Sequence, residues 1–235
     1  MKYAVITGAT KGIGRAVAEK FAAEGVSIAV CARNEKELME MKNSISASYP
    51  HVKVIAESVD MGNKSQVLQF AQTILQAFPQ VDILVNNAGI FIPGALKEEP
   101  DGKLEDMMAV NLFSAYHLTR ALLPKMIEKK TGYIFNLCST ASHKAYANGG
   151  SYSITKFALL GFSQNLREEL KPHNIKVSSV SPGPTWTNSW AGFDGPADRL
   201  MPAADIAQII WTAYTLAPQT VMEEIVLRPM LGDIS

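Results

Sequence analysis

Tyr152 and Lys156 stand four residues apart in Tyr152-Ser153-Ile154-Thr155-Lys156, and Ser139 lies thirteen residues upstream, after Asn136-Leu137-Cys138. On a helix, residues at i and i+4 stack on one face, which sets an ammonium beside a phenol. An unperturbed phenol titrates near pH ~10. An adjacent cation favours phenolate, so the spacing predicts a tyrosine pKa pulled toward neutrality and able to pass a proton in either direction. A serine hydroxyl from a nearby strand end would hold the oxygen that exchanges that proton. Tyr-x-x-x-Lys is also an ordinary pattern for a half-buried helix, so the motif gains weight only from what accompanies it.

What accompanies it is the start of the chain, Lys2-Tyr3-Ala4-Val5-Ile6-Thr7-Gly8-Ala9-Thr10-Lys11-Gly12-Ile13-Gly14. A strand-like apolar run enters a glycine-rich turn, and a helical pattern follows with Ile13, Val17, Phe21 and Ala22 on one face. Glycines at Gly8, Gly12 and Gly14 allow a tight turn, close backbone approach to a phosphate and close helix–strand packing. The helix N-terminus adds free N–H groups and a positive dipole end for a pyrophosphate. The spacing differs from G-x-G-x-x-G.

Taken together, these segments resemble the short-chain dehydrogenase/reductase family in its Thr-Gly-x-x-x-Gly-x-Gly form. Four further elements carry the resemblance along nearly the whole chain: Asn86-Asn87-Ala88-Gly89 after the strand Val81–Val85, Asp60 in Ser58-Val59-Asp60, Asn111 in Val110-Asn111-Leu112, and Pro182-Gly183-Pro184-Thr185-Trp186-Thr187. The resemblance implies a hydride transfer between a nicotinamide dinucleotide and a carbonyl or alcohol. Tyr152 would be proton donor, Ser139 would orient the oxygen, and Lys156 would lower the tyrosine pKa and hold the nicotinamide ribose. Asn111 would tether a water linking Lys156 to solvent, or satisfy a kink in its helix, or both. Gly8, Thr10, Lys11, Gly12, Ile13, Gly14, Asn87, Ala88, Gly89, Pro182, Gly183, Thr185 and Thr187 would line the cofactor, with Asp60 at the adenine.

Which dinucleotide is suggested by Ala29-Val30-Cys31-Ala32-Arg33-Asn34. NAD-preferring relatives place an acid near position 32 to accept hydrogen bonds from the ribose hydroxyls. Here that position is Ala32 and the next is Arg33, whose guanidinium matches a phosphate and can stack on adenine. With Lys11 able to approach the same 2′-phosphate, the sequence predicts NADPH/NADP.

Composition fits a soluble globular core. The 235 residues are 47% apolar and 19% charged with zero net charge, which suits one folded domain and leaves no basic footprint for nucleic acid. No apolar run reaches the ~20 residues of a membrane span. The N-terminus runs straight into the first strand, without a signal-peptide pattern. Cys31 and Cys138 close predicted strands as small apolar filler, so a cytoplasmic setting without disulfides is expected. His51, His117, His143 and His173 lack metal-ligand spacing, so no metal is expected.

Strand-like runs at 4–7, 27–31, 52–57, 83–86, 133–137, 176–180 and 224–227 alternate with helical patterns at 13–24, 35–47, 64–77, 103–129, 152–170 and 204–216. Such alternation predicts an α/β fold, a single-domain Rossmann-like doubly wound parallel sheet of about seven strands. The helix at Tyr152 carries Phe157, Leu159, Leu160, Phe162, Leu166 and Leu170, apolar on several sides, which predicts a homodimer or homotetramer.

The substrate is less legible. A short loop at about 188–201 should fold over it, with Trp186, Trp190 and Phe193 either lining a pocket or anchoring the loop. Tyr146 precedes the tyrosine on another wall. The ending Glu223–Ile234 lacks the Asp-Gly-Gly of many 3-oxoacyl-carrier-protein reductases and resembles bacterial sepiapterin-reductase-like members, as does Trp190. Lys130 keeps one basic position of carrier-protein reductases, but His173 occupies the other. The leading expectation is reduction of a small ketone, dicarbonyl or sepiapterin-like substrate, with a carrier-protein reductase as alternative. A non-catalytic dinucleotide-binding regulator is the other class, disfavoured because Ser139, Tyr152 and Lys156 are all kept.

Overall fold

The computed structural model describes residues 1–187, 190 and 192–234. Seven parallel strands form one sheet: β1 (Tyr3–Thr7), β2 (Ser27–Ala32), β3 (Val54–Ser58), β4 (Ile83–Asn86), β5 (Gly132–Leu137), β6 (Ile175–Pro182) and β7 (Glu224–Leu227). Their order is β3-β2-β1-β4-β5-β6-β7. The helices are α1 (Gly12–Ala23), α2 (Glu35–Ser48), α3 (Lys64–Ala77), α4 (Lys103–Met108), α5 (Ser114–Lys129), α6 (Gly150–Leu170) and α7 (Ala203–Thr215).

Alternation along the strands feeds two cores. Ala4, Ile6, Ile28 and Val30 meet the buried faces of α1, α2 and α7, through Phe21, Met41 and Ile210. Val5, Ala29 and Cys31 point the other way, toward α3, α5 and α6, through Phe70, Leu122 and Leu166. Side chains two apart on a strand share a face, so a sheet buried on both sides reads as an unbroken apolar run. Cys31 and Cys138 are free thiols, both buried. Among the described residues no helix is long and apolar enough to cross a membrane.

Three departures from the sequence reading bear on the site. The helix predicted over 103–129 is broken by a π-turn at Ala109–Phe113 that contains Asn111. The helix expected from Tyr152 begins at Gly150, two residues earlier. Strand β3 begins at Val54, because Val52 is in a turn whose N–H donates to Tyr49 O (3.0 Å).

Candidate active site

The chain passes from β1 outward to β2 and β3, then returns to β4 on the other side of β1. Such a reversal opens a crevice at the carboxyl ends of the two inner strands. Thr7 and Gly8 lie at one lip, Asn87 to Gly89 at the other. Thr7 Oγ1 accepts from the N–H groups of Asn87 (3.0 Å) and Ala88 (2.9 Å). The Asn87 amide donates back to Thr7 O (2.8 Å) and Gly8 O (3.0 Å). Thus Asn87, expected to touch the cofactor, also staples the two lips together.

The glycine turn fits a diphosphate. Gly8 and Gly12 hold φ of +66° and +55°, a region that favours glycine. A Cβ on Gly14 would overlap Gly8 O and the Asn87 amide, and one on Gly12 would lie 2.9 Å from Thr187 Cγ2. No side chain caps α1 at Lys11 and no acid sits in its first turn, so its N-terminal N–H groups keep their dipole for an anion. Thr10 and Ile13 complete the turn. On the far side, Pro182 ends β6, Gly183 N donates to Leu227 O (2.8 Å), and Thr185 Oγ1 turns back onto Gly183 O (2.9 Å).

At the outer end of the crevice, Arg33 is exposed just beyond β2, with no side-chain hydrogen bond or ion pair among the described residues. Lys11 is engaged: its Nζ lies 2.7 Å from Glu37 Oε1. Asp60 Oδ1 accepts from Gly62 N (2.9 Å), leaving its other oxygen at the rim.

At the inner end, α6 brings Tyr152 and Lys156 to one face, with Lys156 Nζ 5.7 Å from the tyrosine ring centroid. Lys156 is 5% exposed and donates to Leu137 O at 2.7 Å. Burial lowers its pKa to about 8. Burial also pushes the Tyr152 phenol up to about 12, only partly opposed by the Ser139 hydroxyl. Desolvation is the largest influence on the phenol, so the shift runs opposite to the expected pull toward neutrality.

Ser139 follows β5 and opens a short 3₁₀ turn, Thr140–Ser142. Its Oγ accepts from Ala141 N (3.1 Å), so one lone pair is committed while the O–H remains a donor. Asn111 is buried. Its Oδ1 accepts from Ile90 N (2.7 Å), and its Nδ2 donates to Ile90 O (3.0 Å) and Thr155 Oγ1 (2.9 Å). Both amide protons are used, so the side chain ties the segment after β4 to α6, leaves the turn's own backbone to other groups, and retains one acceptor lone pair. Gly89 lies where a Cβ would be 3.4 Å from Asn111 Oδ1 and 3.6 Å from Lys156 Nζ. These side chains, 45 positions apart, therefore converge on one backbone stretch.

Of the aromatic residues expected near substrate, Tyr146 lines a surface pocket of about 430 Å³ with Leu96, Ala145, Ser153, Ile154 and Phe157. Trp186 is largely exposed, and Trp190 packs edge-on against Phe193 at 5.6 Å. Residues 188, 189 and 191 of the expected loop lie outside the described residues.

Several residues gave no such signal in the sequence. Phe91 stands edge-on to Tyr152, ring centroids 4.9 Å apart. Asn86 and Asn136 occupy paired positions on β4 and β5, and Asn86 Nδ2 donates to Asn136 Oδ1 (2.8 Å). Asn136 in turn donates to Ser163 Oγ (2.9 Å) on α6. This buried amide ladder ties the strand ends beneath the crevice to the helix that carries Tyr152. An asparagine closing one apolar run and another one residue before the end of the next are its only trace in the sequence.

A profile of short chain dehydrogenases matches residues 2–194. The chain belongs to the short-chain dehydrogenase/reductase family. It is therefore an oxidoreductase of the class that works with a nicotinamide dinucleotide. A relative in this family, an uncharacterised oxidoreductase of Staphylococcus epidermidis, is 31% identical over 229 residues, covering 97% of each chain. A metagenomic short-chain oxidoreductase solved with NADP superposes with a TM-score of 0.85 at 31% identity, 97% of each chain covered. L-sorbose reductase of Gluconobacter frateurii, solved with NADPH and L-sorbose, gives 0.89 at 28% identity over 97% of this chain and 95% of its own.

Proposed function

We propose that this short-chain dehydrogenase/reductase is an NADPH-dependent reductase that converts a small ketone or dicarbonyl to an alcohol. The observation that carries the reading is the convergence of Tyr152, Lys156 and Ser139 at the inner end of the crevice, with Lys156 Nζ 5.7 Å from the Tyr152 ring centroid and the Ser139 O–H free to donate. A reduction must end with a proton on oxygen, and a phenol placed there can supply one. Bound there, the dinucleotide would supply the hydride. Tyr152 gives its proton to the developing alkoxide, Ser139 donates a hydrogen bond to the same oxygen, and Lys156 offsets the charge left on the phenolate.

Preference for the phosphorylated dinucleotide rests on Ala32 and Arg33. Buried Ala32 provides no carboxylate for ribose hydroxyls, and the Arg33 guanidinium is uncommitted while Lys11 is held by Glu37. The NADP and NADPH complexes of the two solved relatives support this choice. Arg33→Ala should raise the NADPH Michaelis constant about 10- to 100-fold, as expected for a lost charge-assisted contact of ~1.5–3 kcal/mol, and the NADH constant little. Steady-state titration of both coenzymes checks this; equal changes would remove the role given to Arg33.

Phe91, Tyr146 and Trp186 give the substrate side an aromatic character suited to a small, partly apolar carbonyl, sepiapterin-like compounds included. Following NADPH absorbance against diketones, acetoacetyl thioesters and sepiapterin tests the reading. Tight NADPH binding with no oxidation by any of them would sink it in favour of a non-catalytic dinucleotide-binding protein. Two buried free thiols suit a reducing cytoplasm.

The enzyme acts as a homodimer or homotetramer through the outer face of α5 and α6. Tyr116 on α5 and Ile154 and Phe157 on α6 are 38%, 41% and 46% exposed, and Phe113 in the π-turn is exposed as well, apolar side chains of the kind that an interface covers. Light scattering at micromolar concentration should give a multiple of 25.5 kDa. A species at the single-chain mass alone would overturn the assembly.

A further inference from the structure

The first turn of α6 is built without a local cap. Its leading residues are Gly149 and Gly150, no side chain of its own segment caps it, and Gly150 holds φ +39°. The cap comes from 52 positions before the residue it bonds. The Glu99 carboxylate accepts from Ser151 N (3.2 Å) and from the Ser151 hydroxyl, one residue before Tyr152. A Cβ on Gly150 would overlap Glu99 Oε1 and Gly94 O, which explains a glycine at that point.

Glu99 is itself held. Lys103 Nζ lies 3.2 Å from its Oε1, and the two side chains are 9% and 7% exposed, lysine first. The same ammonium donates to Pro93 O (2.9 Å), and Gly94 N donates to Asn148 O (3.0 Å). One desolvated ion pair therefore fastens the segment from Pro93 to Lys103 onto the N-terminus of α6. Two residues before Pro93 is Phe91, whose ring edge meets Tyr152.

We infer that Glu99 is a positioning residue: its carboxylate caps the helix bearing Tyr152 and Lys156 and, through Lys103, sets the Phe91 wall against the phenol. A carboxylate suits the site because it accepts from helix N–H groups and lies at the positive end of the dipole. A side chain with no acceptor would release both the helix start and the wall, and a neutral acceptor would keep the first and loosen the second. This rests on the reading of Tyr152 as proton donor, so one measurement below is independent of turnover.

The test compares Glu99→Ala and Glu99→Gln with the native enzyme on whichever carbonyl the native enzyme reduces. A displacement of about 1 Å at the reacting groups can cost ~10²-fold, so Glu99→Ala should lose about 10- to 100-fold in kcat and raise KM for the carbonyl. Glu99→Gln still accepts from Ser151 N and should fall between native and Glu99→Ala. NADPH affinity, read by fluorescence titration, should stay within about twofold of native, because the glycine turn is untouched. Hydrogen exchange should lose protection at Ser151 and Tyr152 and across 94–103, with α1 and the sheet unchanged. Native exchange in that region in Glu99→Ala overturns the inference whether or not a substrate is found. So does native kcat, or a kcat loss matched by lost NADPH affinity and melting temperature, which would make Glu99 a general stabiliser of the fold. A native enzyme inert toward every carbonyl, with the exchange change present, would leave the clamp standing and remove the reductase reading instead.

Discussion

Tyr152→Phe should cut carbonyl reduction by about 10²–10⁴-fold while leaving NADPH affinity unchanged, since it deletes the transferable proton and little else. The ring keeps its edge contact with Phe91, and Lys156 keeps its bond to Leu137 O. Turnover and coenzyme titration on the same preparation separate the two effects; near-native turnover would refute the proton-donor role. The pH dependence has a defined sign. Tyr152, raised to about 12, stays protonated across the working range, while Lys156, lowered to about 8, loses its charge on the alkaline side. Neutral Lys156 cannot offset a phenolate, so kcat/KM for reduction, which reports the free enzyme, should fall as pH rises through about 8. A rate that climbs through that interval would contradict the assignment.

Gly14→Ala should abolish high-affinity dinucleotide binding and lower the melting temperature. Its methyl would overlap Gly8 O and the Asn87 amide, one a backbone atom in the turn and the other the staple between β1 and β4. Neither is the loose end of a flexible chain, so the two lips must part. Overpacking of this kind costs about 1–3 kcal/mol, and the strain falls where the diphosphate is to be held. A fluorescence titration showing native NADPH affinity would mean that the turn has slack absent from this geometry.

What the sequence disclosed follows from how local each signal is. All seven strands were legible as apolar runs, because a sheet covered on both faces needs no alternation. Gly8, Gly12 and Gly14 were legible because backbone demands of this kind leave a fixed residue type at fixed spacing. Ser139, Tyr152, Lys156 and Asn111 were legible by family resemblance, and the fold does gather them. The start of α6 was not, since its capping group comes from a distant segment and two glycines give no helical signal. The direction of the Tyr152 shift was also hidden: spacing shows the cation, but only packing shows the desolvation of the phenol. The Lys11–Glu37 pair leaves no local pattern because it joins a loop to another helix's first turn.

The π-turn at Ala109–Phe113 has a consequence for any attempt to redesign this enzyme. One inserted residue swings everything beyond it by about 100° around the rod, and Asn111 reaches Ile90 and Thr155 only in that phase. Deleting one residue of the five would give a more regular, locally more comfortable helix and turn this amide away from the crevice. Local regularity and the reach of this amide are therefore opposed at this spot.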